Sequence, residues 1–299
     1  MKNRIKQLKE TKNAVILAHY YAPQEIQEIA DFTGDSFYLA KVAKQTEADI
    51  IVFCGVSFMG ESAKILNPDK KVLMPDVTAD CPMAHMATEE KIREMREKYD
   101  DLAVVCYINS TAQLKCLSDV CVTSSNAIKI VSKLPNKNIF FIPDKNLGSF
   151  VKEKLPEKNI ILNDGYCPIH ADITAEQLTA EKQKHPDALV LSHPECEDEI
   201  LTLSDYIGST AEIIDFAGKS ESEEFIVCTE DGVMYELMQK NPGKKFYFPD
   251  PRPCCEGMKL NTLEAVLSVL ENENDEITVN EDVRVQALKA LEKMLELAK

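Results

Sequence analysis

The chain has 299 residues, 34 Lys and Arg against 50 Asp and Glu, a formal charge of −16, ten Cys and no Trp. No basic surplus is available to displace counterions from phosphates, which excludes nucleic acid as a partner, and the same balance argues against anionic membrane surfaces. No apolar run resembles a signal peptide or approaches the ~20 residues of a membrane-spanning helix, so a cytoplasmic protein with reduced thiols is expected.

A charged helical stretch at 2–11 leads into the apolar strand AVILAHYY (14–21), which ends on His19. PQEIQEIADF (23–32) places Ile26, Ile29 and Ala30 at helical spacing. Ser36 stands before FYLAKVAKQ. A hydroxyl there suits a helix start, because its oxygen accepts from an orphan backbone N–H. The strand ADIIVFC (48–54) follows. The same cycle then recurs: helix 88–99, strand AVVCYINS (103–110) ending on Tyr107, Ser124 and Ser125 before NAIKIVSKL, strand KNIFFIP (137–143). It recurs once more with helix 174–185, ALVLSHPE (188–195) ending on His193, Ser209 and Thr210 before AEIIDFA, and EEFIVCT (223–229). A last charged segment occupies 281–298.

His19, Tyr107 and His193 are 88 and 86 residues apart. Twelve residues after each comes an acid (Asp31, Asp119, Asp205), and five further on a hydroxyl (Ser36, Ser124, Thr210). Mere alternation of strands and helices does not fix such offsets, so the chain is read as a triplication. Strands alternating with helices predict parallel sheets covered on both faces. The expected fold class is therefore α/β: three pseudo-threefold-related, three-layer α/β/α units around a central active site. Their bounds are 1–86, 87–172 and 173–299, the last with C-terminal helices packing back towards the first, and no unit is expected to fold alone. Ligands of such sheets bind beyond the carboxyl ends of the strands. The strand-end residues stand there, with Tyr21, Asn109 and Glu195 each two positions on.

Three cysteines keep the period. Cys81 lies 62 residues after His19, Cys167 60 after Tyr107 and Cys255 62 after His193, in the words DCPMAH, YCPIHA and CCEGMK. Cys54 and Cys228 match each other, with Pro143 expected at the corresponding place in the second copy; Cys106, Cys116, Cys121 and Cys196 are assigned to packing. Three thiolates lack the fourth ligand of structural zinc. They suit a [4Fe–4S] cluster with one iron left open as a Lewis acid. The hydroxyl-started helices offer N–H groups to an anion without any Lys or Arg. The residues point to a pocket for a small, multiply anionic molecule beside an iron–sulfur Lewis acid; three packing cysteines are the plainer alternative.

The words AHYYAPQEIQEIADFTGDS, YINSTAQLKCLSDVCVTSSNA, GYCPIHADIT, HPEC, DYIGSTAEI and GMKLNTLEAVLSVLE resemble the quinolinate synthases over residues 14–270. The resemblance implies three pseudo-symmetric units about an oxygen-sensitive [4Fe–4S] cluster. It also implies a transferase-type condensation of iminoaspartate with dihydroxyacetone phosphate, losing phosphate and two waters, to give quinolinate for NAD biosynthesis. On that likeness Cys81, Cys167 and Cys255 are the metal ligands. Cys255 is preferred because the family's thiol stands in a C-x-x-M-K word, and the adjacent Cys254 is the alternative. The family's site residues map onto His19, Tyr21, Ser36, Tyr107, Asn109, Ser124, His193, Glu195 and Thr210.

Glu195 is then the expected general base, its pKa moved towards neutrality by apolar walls, and Tyr21 relays the proton within hydrogen-bond reach. Tyr107 and Asn109 position the substrate, His19 and His193 donate to its charged ends, and the three hydroxyls hold carboxylate or phosphate. Lys219 and Arg252 are further candidates to face a phosphate, although Lys219 is read first as a solvated surface residue. Transient contact with the iminoaspartate-producing enzyme is a further expectation. Two rivals remain at this point: a diphthamide-type radical enzyme, which leaves HPEC and DYIGST unexplained, and a non-catalytic iron–sulfur sensor or electron carrier.

Overall fold

The computed structural model describes residues 1–299. The first cycle comprises α1 (Lys2–Thr11), β1 (Ala14–His19), α2 (Gln24–Gln27), β2 (Phe32–Gly34), α3 (Ser36–Gln45), β3 (Ile50–Cys54), α4 (Ser57–Leu66) and β4 (Lys71–Leu73). The second runs α5 (Glu89–Lys98), β5 (Leu102–Tyr107), α6 (Ala112–Cys116), β6 (Val120–Val122), α7 (Ala127–Lys133), β7 (Asn138–Ile142), α8 (Lys145–Lys154), β8 (Asn159–Leu162) and α9 (Pro168–Ala171). The third runs α10 (Ala175–Lys184), β9 (Leu189–Ser192), α11 (Asp198–Thr202), β10 (Tyr206–Ile207), α12 (Thr210–Lys219), β11 (Glu224–Cys228), α13 (Met234–Lys240), β12 (Lys245–Tyr247) and α14 (Glu256–Lys259). Helices α15 (Leu263–Asn272) and α16 (Glu281–Leu297) follow. No helix is long and apolar enough to cross a membrane.

Each cycle builds one four-stranded, all-parallel sheet, and the order is the same in all three: β2-β1-β3-β4, β6-β5-β7-β8 and β10-β9-β11-β12. The order reverses between the first and third strands of each sheet, which opens a crevice at their carboxyl ends. The central strands are near-continuous apolar runs because both faces are covered. In the first sheet Val15, Leu17, Ile51 and Phe53 lie in the core with Leu39 and Ala40 of α3, while Ile16, Ala18, Ile50 and Val52 face Ile5 and Leu8 of α1 and Val266 and Val269 of α15. That division follows from the period-two alternation of strand side chains. Helix α16 lies mainly along α6 and β6 and also touches α4, and its Ala287, Leu291 and Met294 join the core shared by the first two units.

The repeated acid is a fold residue. The carboxylates of Asp31, Asp119 and Asp205 accept the backbone N–H of Ile16 (2.8 Å), Val104 (2.7 Å) and Val190 (2.8 Å). The backbone N–H of each acid donates to the carbonyl of that same strand residue, at 2.9 Å in every copy. This double clamp explains why the helix expected over 23–32 is shorter: α2 ends at Gln27, and the chain is extended by Phe32, which pairs with Leu17 of β1.

Two further sequence expectations shift by one residue. The strand register aligns Cys54 and Cys228 with Ile142, not Pro143, since β7 ends one residue earlier than its apolar run. Of the hydroxyls expected at the helix starts, only Ser209 is a cap. Asp35 caps α3, accepting from the Tyr38 N–H at 2.8 Å, and Ser209 caps α12 in a capping box with Glu212. Asn126 precedes α7 without a side-chain cap bond. Ser36 and Thr210 are the first helical residues instead.

Candidate active site

Beyond β4, β8 and β12 the chain reaches Cys81, Cys167 and Cys255, and each cysteine immediately precedes a single helical turn: Pro82–His85, α9 and α14. Backbone N–H groups of these turns face the thiols, from Met83 and Ala84 at Cys81, His170 at Cys167, and Met258 and Gly257 at Cys255. The three loops abut. A Cβ added at Gly257 would lie 2.5 Å from the Asp80 carbonyl oxygen, so only glycine permits this approach of the third loop to the first. Asn163 donates to the Met86 carbonyl at 2.9 Å, tying the second loop to the first. Buried carboxylates grip two of the cysteines by their backbone: Asp144 accepts from the Cys167 N–H (3.1 Å) and Glu230 from the Cys255 N–H (3.0 Å).

The loops line a cavity of about 70 Å³. All twelve residues singled out from the sequence line it: His19, Tyr21, Ser36, Cys81, Tyr107, Asn109, Ser124, Cys167, His193, Glu195, Thr210 and Cys255. Cys254 is exposed and outside it. So are Lys219, which pairs with Asp215 on the surface, and exposed Arg252 beside Phe248. No Lys or Arg lines the cavity. Lys259, outside this lining, is held by Glu230 (2.7 Å), Asp231 (2.9 Å) and the Tyr21 carbonyl (3.0 Å). Burial lifts Glu230 to about 7 against the opposing pull of Lys259.

The two strand-end histidines are matched in detail. The N–H of Tyr21 donates to His19 Nδ1 (3.2 Å) and that of Glu195 to His193 Nδ1 (3.3 Å). An Nδ1 that accepts a backbone N–H carries no proton, so each neutral ring is protonated on Nε2. Burial holds both imidazoles down to about 3, which keeps them neutral donors. Burial also raises the phenols of Tyr21 and Tyr107 well above their ordinary range.

Glu195 behaves differently from the sequence expectation. Burial acts to raise its carboxyl, but His193, His170 and hydrogen bonds from His170 and Tyr107 outweigh it and bring the group down to about 2. His170 Nδ1 lies 2.8 Å from Glu195 Oε2, and the Tyr107 hydroxyl donates to Oε1. His170, missed from the sequence apart from its place in YCPIHA, is buried, stacks on His193 (centroids 4.7 Å apart) and reaches Thr229 through Nε2 (2.9 Å). Tyr21 does not meet Glu195 directly; its hydroxyl bonds Thr210 and Thr229, each at 2.7 Å. Asn109 Oδ1 is buried without any hydrogen-bond partner, an acceptor turned to whatever occupies the cavity.

The donor set fits an iron–sulfur cluster. Burial raises all three thiols, with Cys81 pushed up to about 12, and the neighbouring thiol and Glu195 add to that rise at Cys81. The helix-turn amides favour the thiolates but do not overcome burial. What this group of soft donors lacks is positive charge: no Lys or Arg lines the cavity, and Lys259 favours the thiolate only at Cys255.

Comparison with known proteins agrees with this geometry. The family model described as quinolinate synthetase A protein (NadA) matches residues 3–296. The quinolinate synthase of Fusobacterium nucleatum is 56% identical over 298 residues, covering 100% of this chain and 99% of its own. That of Caldicellulosiruptor saccharolyticus is 55% identical over 298 residues (100% and 98%), and that of Clostridioides difficile 50% over 295 (99% and 97%). Neither rival reading accounts for a match of this extent, and the chain belongs to the quinolinate synthase family.

Proposed function

We propose that this quinolinate-forming enzyme condenses iminoaspartate with dihydroxyacetone phosphate in the cavity between its three units, and that Cys81, Cys167 and Cys255 hold a [4Fe–4S] cluster there. The observation that carries the reading is the convergence of one thiol per unit on a cavity holding Glu195, three imidazoles and two phenols but no Lys or Arg. When bound, the cluster supplies a Lewis acid, because three protein thiolates leave one iron without a protein ligand.

The chain's own residues divide the remaining work. The substrates are anionic and meet neutral donors: the Nε2–H groups of His19 and His193 and the hydroxyls of Ser36, Ser124 and Thr210. Asn109 Oδ1 takes an N–H or O–H of the substrate, and Tyr107 sits beside it to fix orientation. Glu195 is the general base. It is ionised at neutral pH, and its basicity rises when a substrate displaces Tyr107 or His170 from one of its oxygens, since those hydrogen bonds favour the charged form. Tyr21, with its proton tightly held, exchanges protons with Glu195 through intervening groups. Iminoaspartate is unstable, so the reading extends to transient contact with the enzyme that supplies it.

Anaerobic incubation of the iron-loaded protein with dihydroxyacetone phosphate and an iminoaspartate source tests the proposal. Quinolinate should form, and Glu195→Gln should lower turnover by ~10²–10⁴-fold with iron retained. Absence of quinolinate, or a Gln variant of nearly full activity, contradicts it.

A further inference from the structure

Tyr21, Asn109 and Glu195 hold equivalent places two residues past the strand ends, but they are not held alike. The N–H of Tyr21 and that of Glu195 each donates to Nδ1 of the strand-end histidine. Tyr107 offers no ring nitrogen, and the Asn109 backbone makes no hydrogen bond of its own to another backbone group. The turn differs too. Ala22 donates to the His19 carbonyl (2.9 Å) and Cys196 to that of His193 (3.0 Å), whereas Ser110 donates to Ile108 (2.8 Å), a tighter turn with Asn109 at its centre. Asn109 therefore stands where its neighbours put it. The Ile108 N–H is tied to Val122 of β6 (2.9 Å). On the other side, Lys115 of α6 donates from Nζ to the Ser110 carbonyl, and both residues are wholly buried. The same Nζ lies 5.5 Å from the centre of the Phe58 ring, which lines the cavity. A carbonyl and a ring are poorer company for a buried ammonium than a carboxylate, so stability alone is a weak reason for a lysine here. Helix α6 is fixed in turn: its first N–H donates to Glu61 of α4 (2.8 Å), and α16 lies along it.

The repeat supplies an independent observation. Eight residues past the three strand ends stand Gln27, Lys115 and Leu201. Gln27 is buried, and its Nε2 donates to the carbonyl of Ala22 (2.8 Å), the counterpart of Ser110. Leu201 has no donor to give. A side chain at this place can thus reach that carbonyl, and the unit folds with or without the bond. The lysine occurs only in the unit whose turn lacks the histidine tie.

We infer that Lys115 is a positioning residue for substrate binding: by pinning the Ser110 carbonyl it sets the turn that holds the Asn109 acceptor towards the cavity. The inference rests on the reading of Asn109 as a group that binds substrate. Tyr107 does not depend on Lys115, because it pairs with Val122 in the sheet and its hydroxyl is held by Glu195. Binding should therefore suffer while the chemical step does not. Lys115→Met keeps the unbranched stem and removes the donor, whereas Lys115→Gln installs the residue that makes this bond in the first unit.

In the iron-loaded enzyme assayed anaerobically, Asn109→Ala identifies the substrate concerned by raising its KM. Lys115→Met should raise the same KM by ~3–10-fold, the worth of about one hydrogen bond, with kcat within about twofold and iron content unchanged. Lys115→Gln should bring that KM to within about twofold of the parent. The double variant Asn109→Ala with Lys115→Met should bind no worse than Asn109→Ala alone, because both remove the same contact. A parental KM in Lys115→Met beside a raised one in Asn109→Ala overturns the role of Lys115 alone. So does a loss confined to kcat, or an additive loss in the double variant. A Gln variant as weak as Met overturns it too, because donation to the carbonyl would then not be what matters. An Asn109→Ala enzyme with parental KM for both substrates removes the reading of Asn109 and this inference together. Should Lys115→Met fail to fold, Lys115→Leu, which carries the third unit's residue, takes its place in every comparison with the same expected and overturning results.

Discussion

Replacing Glu230 by Ala probes how the third cysteine is held. Glu230 is 1% exposed, and one of its oxygens accepts from Lys259 Nζ (2.7 Å) and the Cys255 N–H (3.0 Å), the other from the Gly232 N–H (2.7 Å). Ala leaves two backbone donors without an acceptor, at about 1–3 kcal/mol each. It also breaks a buried ion pair, which on its own costs about 3–5 kcal/mol. Lys259 keeps Asp231 at 2.9 Å, so the ion-pair loss sits at the low end. These contributions overlap, and a total of about 3–4 kcal/mol is expected. That is smaller than a typical folding stability of ~5–15 kcal/mol, so the variant folds, with melting lowered by ~6–8 °C. The local consequence is sharper, because the backbone of Cys255 loses its anchor while Asp144 still holds Cys167. Thermal melts, with iron and sulfide counted after anaerobic reconstitution, measure both effects. Melting within 1 °C of the parent at full iron content refutes the reasoning.

Asp119→Ala should cost about 1–2 kcal/mol, because the carboxylate is partly exposed and clamps the Val104 N–H, while kcat stays within about twofold; a tenfold loss of kcat in a well-folded variant makes the repeated acid functional after all. Cys254→Ala should keep iron and activity where Cys255→Ala loses both, and the reverse result, read by iron content, exchanges the ligand assignment. We further propose that the units 1–86, 87–172 and 173–299 do not fold separately. A fragment of residues 1–86 lacks α15, which covers Ile16, Ala18 and Val52, and should give no cooperative melt by circular dichroism; a sharp transition contradicts the proposal.

Much of the site is legible in the sequence because triplication writes the same position three times. The offsets from His19, Tyr107 and His193 identify the strand ends, and those to Cys81, Cys167 and Cys255 identify the loops that meet at the cavity. What the period does not encode is contact between copies. His170 sits in the second unit yet binds Glu195 of the third, and the two carry no common spacing. Together with His193, His170 and Tyr107 outweigh burial and hold the Glu195 carboxyl down rather than letting it move towards neutrality. Thr229 and Lys259 escape for the same reason, each joining the third unit to Tyr21 of the first. Errors of one residue arise where local signals are degenerate. Asp35 and Ser36 both suit a helix cap, and in the run IFFIP nothing marks Ile142 rather than Pro143 as the strand end.

Mössbauer spectroscopy of the protein reconstituted anaerobically with iron-57 tests the central assignment most directly. Three cysteine ligands on a four-iron cluster predict ~4 irons per chain, about a quarter of the signal arising from a distinct site that alone shifts when quinolinate is added. Each of Cys81→Ala, Cys167→Ala and Cys255→Ala should abolish that spectrum. Four equivalent irons indifferent to quinolinate, or an intact spectrum after loss of any one of these thiols, would contradict it.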